Sequence, residues 1–514
     1  MKSPYKAFLI AIIITLFFPA CNRQISGAPT PTTSSTGDQE ALQPATRISP
    51  TEKVLLDTLP VSTPQATQTD SPPISTPEAN PTSSTKYLLS AVLDYGQHHL
   101  SVEEQIIYFN QAPDPLSEFI LIVEPTRFPA VFHLKSMSWE DGTAITDYTL
   151  DIGWLRLPLR EPLSPGERLA LSVSYDLDLP SPDASYYGRP IPFGYTSRQT
   201  NLVDWYPYVP PYLPGQGWLV HQAGFFGEYL VYETADFQVD IQLADQRGDL
   251  ELAASAPDRI EGQWHHFYLK AARNFVWSVS LMYQVERLQV GDVTVLGYAF
   301  PVHASAGASA LKTTAEALAL YSHLLGPYPH ATLSLVEADF LDGMEYDGLY
   351  FLSNGFYNLY NGSTSDYLTA IAAHETAHQW WYGLVGNDQA LEPWLDEALC
   401  TYMERLYYEH TNPEALDWWW AYRVNYYQPH GWVDGSIYNP EGYRAYRDAV
   451  YLNGALFLED LRNLIGDDAF YGFLKDYLTK YSHKIATTAD FFRVLQAHTP
   501  IDLNPLMKTY FAQR

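Results

Sequence analysis

The sequence predicts a multidomain α+β protein, an N-terminal antiparallel β domain followed by a mainly helical domain, and three observations carry that expectation. The chain has 514 residues, more than one compact core usually holds. Apolar residues make up 46% and aromatics 15%, enough to pack cores and too much for a wholly disordered chain. The texture then changes along the chain, from short β-type runs to longer Ala- and Leu-rich segments with helical spacing. Thirty Lys and Arg against 59 Asp and Glu leave a formal charge of -29. Such a field repels phosphate backbones, so nucleic acid is excluded as a partner. The two cysteines, Cys21 and Cys400, are too few for a disulfide framework or a cysteine-rich metal site.

The elements follow in order. Lys2 and Lys6 precede an apolar run over 7–18, and Ala20 stands just before Cys21, so residues 1–20 read as an export signal. The run is shorter than the ~20 apolar residues of a spanning helix. Phe18-Pro19-Ala20-Cys21 resembles the lipobox of bacterial lipoproteins, with Phe18 and Pro19 replacing the usual Leu and small residue. That resemblance implies a lipid anchor on Cys21 that holds the chain to a membrane, at the cell surface or facing the periplasm. The alternative is a simple cleavage site and a secreted chain. Residues 21–86 are dominated by Ser, Thr, Pro, Gln and Ala and predict a disordered linker. Residues 87–300 carry runs such as 105–109, 119–123 and 275–279, rich in Val, Ile, Tyr and Phe, and predict the β domain. Residues 301–514 predict the helical domain, with helices over 311–325, 367–383, 393–410 and 449–464.

Chemistry concentrates in the second half. His374-Glu375-Thr376-Ala377-His378 places two imidazoles one helical turn apart, so both reach one cation from one face. Glu375 stands beside the first imidazole, where its carboxylate can act as general base on a water. Glu397 lies on a new segment beyond a reversal marked by Gly383, Gly386 and Pro393, and is offered as the third ligand. Three protein ligands leave the fourth position of a zinc site open for chemistry. Cys400 reads as a small buried apolar residue. Trp418, Trp419 and Trp420 point in different directions on a helix and read as packing.

These residues resemble the alanyl aminopeptidase family of gluzincin zinc peptidases, which also contains leukotriene hydrolase. Its pattern of His-Glu-x-x-His, eighteen residues and Glu is matched at His374, Glu375, His378 and Glu397. Gly343-Met344-Glu345-Tyr346 resembles the family's Gly-x-Met-Glu-Asn box, with Asp342 in place of its first Gly and Tyr346 in place of its Asn. Tyr451-Leu452-Asn453-Gly454 resembles its Tyr-x-Lys-Gly, with Asn453 for the Lys. Asp204-Trp205-Tyr206-Pro207 extends the likeness into the β half. The resemblance implies a thermolysin-like catalytic domain holding one Zn2+ per chain through His374, His378 and Glu397. It implies Glu375 as general base, Tyr451 as oxyanion donor, and Glu345, with Gly343 and Met344, as the binder of a peptide's free α-ammonium. Gln199 and Tyr446 are further candidates for substrate contact. Larger relatives carry a C-terminal helical roof, so a more open site, with relaxed substrate length or completion by a partner, is expected. The implied activity is hydrolysis of the N-terminal peptide bond. The alternatives are an endopeptidase of the same metal class and an inactive surface-displayed binding protein of the same fold.

Overall fold

The computed structural model describes residues 84–181, 192–245 and 249–512, all within one compact unit, Pro60–Arg514. The export signal, Cys21 and nearly all of the linker expected over 21–86 lie outside the described residues. The first strand, Thr85–Asp94, begins two residues before the expected start of the β domain. Its side chains alternate: Tyr87, Leu89, Ala91 and Leu93 are buried, while Lys86, Ser90 and Asp94 face outward. That period of two makes a strand with one face on a core.

The strand sits near the middle of a seven-stranded sheet. Its neighbours are His99–Phe109, antiparallel, and Ala235–Leu243, parallel from Thr85 opposite Ala235 to Leu93 opposite Leu243. The expected antiparallel domain therefore contains one parallel pair, which no hairpin can make, because parallel neighbours need a crossover. Smaller sheets cover this one. Leu116–Val123 pairs with Gly153–Leu163, and Trp277–Ser280 pairs with Thr200–Leu202. Between them Trp205, Trp277, Phe237 and Tyr175 are fully buried. Trp205 and Tyr206 serve this core: the Trp205 indole donates to the Phe275 carbonyl at 3.0 Å, and the Tyr206 hydroxyl accepts from the Phe275 amide at 3.2 Å.

A second, five-stranded sheet runs in the order Gln284–Val290, Val293–Ala299, Thr332–Ala338, Leu349–Ser353, Gly343–Tyr346. The hairpin over 284–299, read from sequence as the end of the β domain, belongs to this sheet. Its second strand runs parallel to Thr332–Ala338 through the crossover helix Ala304–Leu324, the usual connection between parallel strands. Gly343–Tyr346 is left at the sheet's edge. The helices Tyr367–Ala377 and Trp394–Thr411 pack against the crossover helix and each other. The segment expected as helix over 367–383 stops at Ala377, because Tyr382 takes a positive φ of 133° and Gly383 turns its amide back to the His378 carbonyl at 2.8 Å. Among the described residues, no helix is long and apolar enough to cross a membrane.

Candidate active site

Asp366 starts the helix Tyr367–Ala377 by accepting the Thr369 amide at 3.0 Å. One turn apart near its end, His374 and His378 bring their rings to 4.9 Å between centroids. Glu397 enters from the first turn of Trp394–Thr411. Its Oε2 lies 3.2 Å from His374 Nε2 and 3.6 Å from His378 Nε2. Three ligands at about 2.0–2.1 Å in a tetrahedron stand about 3.3 Å apart, so this triangle has the size of a zinc site. The structure brings together the three residues that the sequence spacing singled out as candidate ligands.

The imidazoles are held from behind. Glu404 Oε1 lies 2.9 Å from His374 Nδ1, and the Trp381 carbonyl lies 3.1 Å from His378 Nδ1. Both are acceptors, so each ring carries a proton on Nδ1 and turns Nε2 to Glu397. Glu404 is fully buried and fully used. It also accepts from Trp419 Nε1 at 2.8 Å and from Arg423 Nε and Nη2 at 2.9 and 2.8 Å. Trp419 is thus packing with a purpose, and Cys400, buried beneath the Trp381 carbonyl, is the apolar residue expected.

Charge tells the same story. Burial pushes the Glu375 carboxyl up to about 8, and burial with the adjacent Glu397 pushes Asp396 up to about 8. Burial alone would lower His374, yet its hydrogen bonds to Glu397 and Glu404 raise it to about 9. Burial opposes ionisation of Glu397 as well, but His374 and His378 hold it far below the carboxylate range. Several buried carboxylates therefore compete for the positive charge of two imidazoles, a balance that a divalent cation satisfies. Glu375 Oε2 is buried without a hydrogen-bond partner. That orphaned oxygen, the N2O donor set and the triangle's size all fit zinc.

The remaining candidates surround this centre. Tyr451 donates to Glu397 Oε1 at 2.6 Å. Glu345, on the edge strand, is buried and accepts from Gln389 at 2.9 Å. Met344 lines the same cavity, and Gly343 passes so close to Glu375 that a Cβ there would lie 2.0 Å from its Oε1. Tyr446 packs edge-on to Tyr451 at 5.8 Å. Asn453 turns away to the Gly431 carbonyl. Gln199 is not at the site: its side chain bonds Tyr283, the Glu337 carbonyl and the Asp339 amide, and it is completely buried. From the β half it is Glu228 that reaches the centre, with a carboxylate oxygen within 4.8 Å of oxygens of both Glu345 and Glu397. Glu228 lies outside any helix or strand, so no periodicity marks it. Glu404 is absent from the candidates read from sequence, although its place seven residues, two helical turns, after Glu397 is a signal that marks it.

A cavity of about 570 Å³ opens over the centre. Residues 309–510 match the family description "Peptidase family M1 domain". The chain is therefore similar to peptidase family M1 over residues 309–510. It is 30% identical over 233 residues to endoplasmic reticulum aminopeptidase 1 of Mus musculus, covering 42% of this chain and 25% of that protein. It is 25% identical over 301 residues to aminopeptidase N of Lactobacillus delbrueckii subsp. lactis, covering 54% of this chain and 36% of that one. The chain thus spans about a quarter to a third of the curated relatives it matches. An M1 zinc metallopeptidase from Deinococcus radiodurans shares the fold, with a TM-score of 0.58 at 19% identity, covering 83% of this chain and 93% of the other. The M1 fold of β-rich and helical domains is therefore the fold of this chain, and the likeness to an M1 domain implies a zinc cofactor.

Proposed function

We propose that this protein is a zinc-dependent aminopeptidase that holds one zinc per chain on His374, His378 and Glu397 and removes N-terminal residues from peptides. The observation that carries the reading is the pair Glu345 and Glu228, whose carboxylates crowd the ligand Glu397. Two acids beside a metal centre suit a peptide's free ammonium, held by charge-assisted hydrogen bonds that place the first peptide bond over the metal.

Zinc, when bound, supplies a Lewis acid that polarises the scissile carbonyl and makes a water acidic near neutral pH. Glu375, buried beside the candidate ligands, accepts a proton from the attacking water and returns it to the leaving amine nitrogen. Tyr451 directs its O–H into the centre and stabilises the developing oxyanion. Gly343 leaves room for Glu375, and Glu404 holds His374 in orientation.

Cys21 is the proposed lipid anchor of an exported protein; mass spectrometry of the mature N-terminus checks it. The activity is tested with amino-acyl anilides and N-acetylated peptides, with and without a chelator. Chelator-sensitive cleavage of free but not blocked substrates is expected. Equal cleavage of both would indicate an endopeptidase, and zinc without hydrolysis a binding protein.

A further inference from the structure

Away from the catalytic cleft, a groove of about 390 Å³ opens on the β half. The strand Gly153–Leu163 lends it Trp154 and Arg156, which stand two residues apart and so share one face. A short hairpin, Tyr212–Leu213 with Gly217–Trp218, sets Tyr212 opposite Trp218, their rings edge to face at 5.3 Å. The three aromatic side chains are half-buried. Among the described residues, the indole Nε1 atoms of Trp154 and Trp218 and the Tyr212 hydroxyl have no hydrogen-bond partner. Arg156 lies over the Trp154 ring at 5.9 Å, and its Nη1 is 3.7 Å from Glu118, beyond hydrogen-bond reach. The groove thus offers ring faces, unspent donors and a loosely held cation.

It stands beside the point where the chain enters the fold. The register that pairs Lys86 with Ile107 puts Thr85 opposite Tyr108, and the Tyr108 ring packs on Trp218 at 6.1 Å. Neighbouring strands are about 4.8 Å apart, so Thr85 lies within about 15 Å of the Trp218 indole. Shortly before it the sequence reads Pro72-Pro73-Ile74-Ser75-Thr76-Pro77-Glu78-Ala79-Asn80-Pro81, four prolines in ten positions. Proline fixes φ and carries no N–H. A strand of this kind docks in the polyproline II form, whose carbonyls have no partner within the strand. At about 3.1 Å per residue, Pro81 stands about 12 Å from Thr85 and Pro77 about 25 Å, so the segment reaches the groove. Its rings and carbonyls complement the aromatic faces and free donors, and Glu78, its single charge, complements Arg156.

We propose that the groove of Trp154, Tyr212 and Trp218 binds the proline-rich segment 72–81 of the same chain. Proline rings stack on the aromatic faces, while the two indole N–H groups and the Tyr212 hydroxyl donate to the segment's carbonyls. Aromatic-lined grooves recognise proline-rich strands in this way, and the preset conformation keeps the entropy cost low. Weak contacts suffice, because the connection to Thr85 gives the segment an effective concentration of about 1 mM. Docking fixes the side of the body from which the preceding residues depart, so that an anchor on Cys21 would hold the body from one side. The inference is independent of the aminopeptidase reading.

Limited digestion of the full chain with a glutamate-specific protease, followed by mass spectrometry, tests it. Cleavage after Glu78 is compared with cleavage after Glu40 and Glu52, which lie outside the segment, each rate normalised to the same bond in a synthetic peptide. With a Kd of about 0.1 mM for the untethered segment, about nine-tenths of the chains are docked, and Glu78 is expected to be cut about tenfold more slowly than Glu52. Trp218→Ala should bring the two rates together. Replacing Pro72, Pro73, Pro77 and Pro81 by Ala should do the same with every groove residue in place. A synthetic peptide of residues 70–84, added at millimolar concentration, should expose Glu78 in the wild type. Equal rates in the untreated wild type overturn the proposal, as does protection that survives in both variants. Protection lost on dilution of the protein assigns the segment to the groove of a second copy and overturns docking within one chain. Exposure of Glu78 by cellohexaose but not by the peptide makes the groove a saccharide site and overturns the proposal as well.

Discussion

Tyr451 shows how much rests on single atoms at this site. Its hydroxyl donates to Glu397 at 2.6 Å and its ring lies parallel to His374 at 6.0 Å, so the donor is preorganised before any substrate arrives. Tyr451→Phe keeps the ring and removes the donor. Turnover is expected to fall by about 10²–10³-fold, some 2.7–4 kcal/mol, with zinc content unchanged by atomic absorption. Full turnover in the variant would remove Tyr451 from the mechanism. At this scale the sequence was readable wherever the ligand motif set the spacing, as for His374, Glu375, His378 and Glu397. It misled at Gln199, because a polar residue in a β half has no local signal that tells a buried strut from a substrate contact.

At the scale of elements, the edge strand Gly343–Tyr346 and the helix Tyr367–Ala377 meet through a glycine. A Cβ at Gly343 would stand 2.0 Å from Glu375 Oε1 and 2.6 Å from its Cδ. The neighbour that must yield is the end of a flexible side chain, and that end is the proposed general base. Gly343→Ala is expected to cut kcat by at least tenfold while the thermal midpoint moves little. A variant with normal kcat would show that Glu375 has room to work elsewhere. The helical wall was only partly legible. A helix was expected over 449–464, and a regular helix occupies Gly454–Ile465. The preceding π turn, Asp448–Asn453, carries Tyr451. An inserted residue of this kind re-aims side chains and leaves no mark in hydrophobic periodicity. The outer bridge from Tyr443 to Asp342 likewise joins residues a hundred positions apart.

Across the whole molecule, Arg273 fastens the β half to the loop behind the metal helix. Buried just after the strand Trp264–Ala272, it donates to the carbonyls of Tyr232, Tyr382, Gly383, Leu384 and Lys484. Arg273→Met would leave those acceptors dry, and each buried orphan costs about 1–3 kcal/mol. Urea unfolding should show a loss of at least ~3 kcal/mol. An unchanged midpoint would mean water replaces the guanidinium. Glu104 is the opposite case, a carboxyl buried in the β core with both oxygens unpartnered. Burial raises it well above 4.5, so the folded chain keeps a proton that the unfolded chain releases. Stability then falls as pH climbs above about 4.5 and goes on falling until the folded group itself ionises. Glu104→Met should match the wild type in thermal midpoint near pH 4, exceed it at pH 8, and flatten the slope between. A wild-type slope retained in the variant would refute this.

By itself the sequence determined the two-part architecture and singled out the candidate metal trio and the candidate general base, because helical periodicity, strand alternation and the histidine spacing are all set by near neighbours in the chain. Tertiary structure alone decided the parallel strand pair, the placement of 284–299 in the catalytic sheet, the arrival of Glu228, and the bridge that bounds the cleft. Those depend on segments tens to hundreds of residues apart being packed together, and the burial that ranks such contacts exists only once the chain has folded.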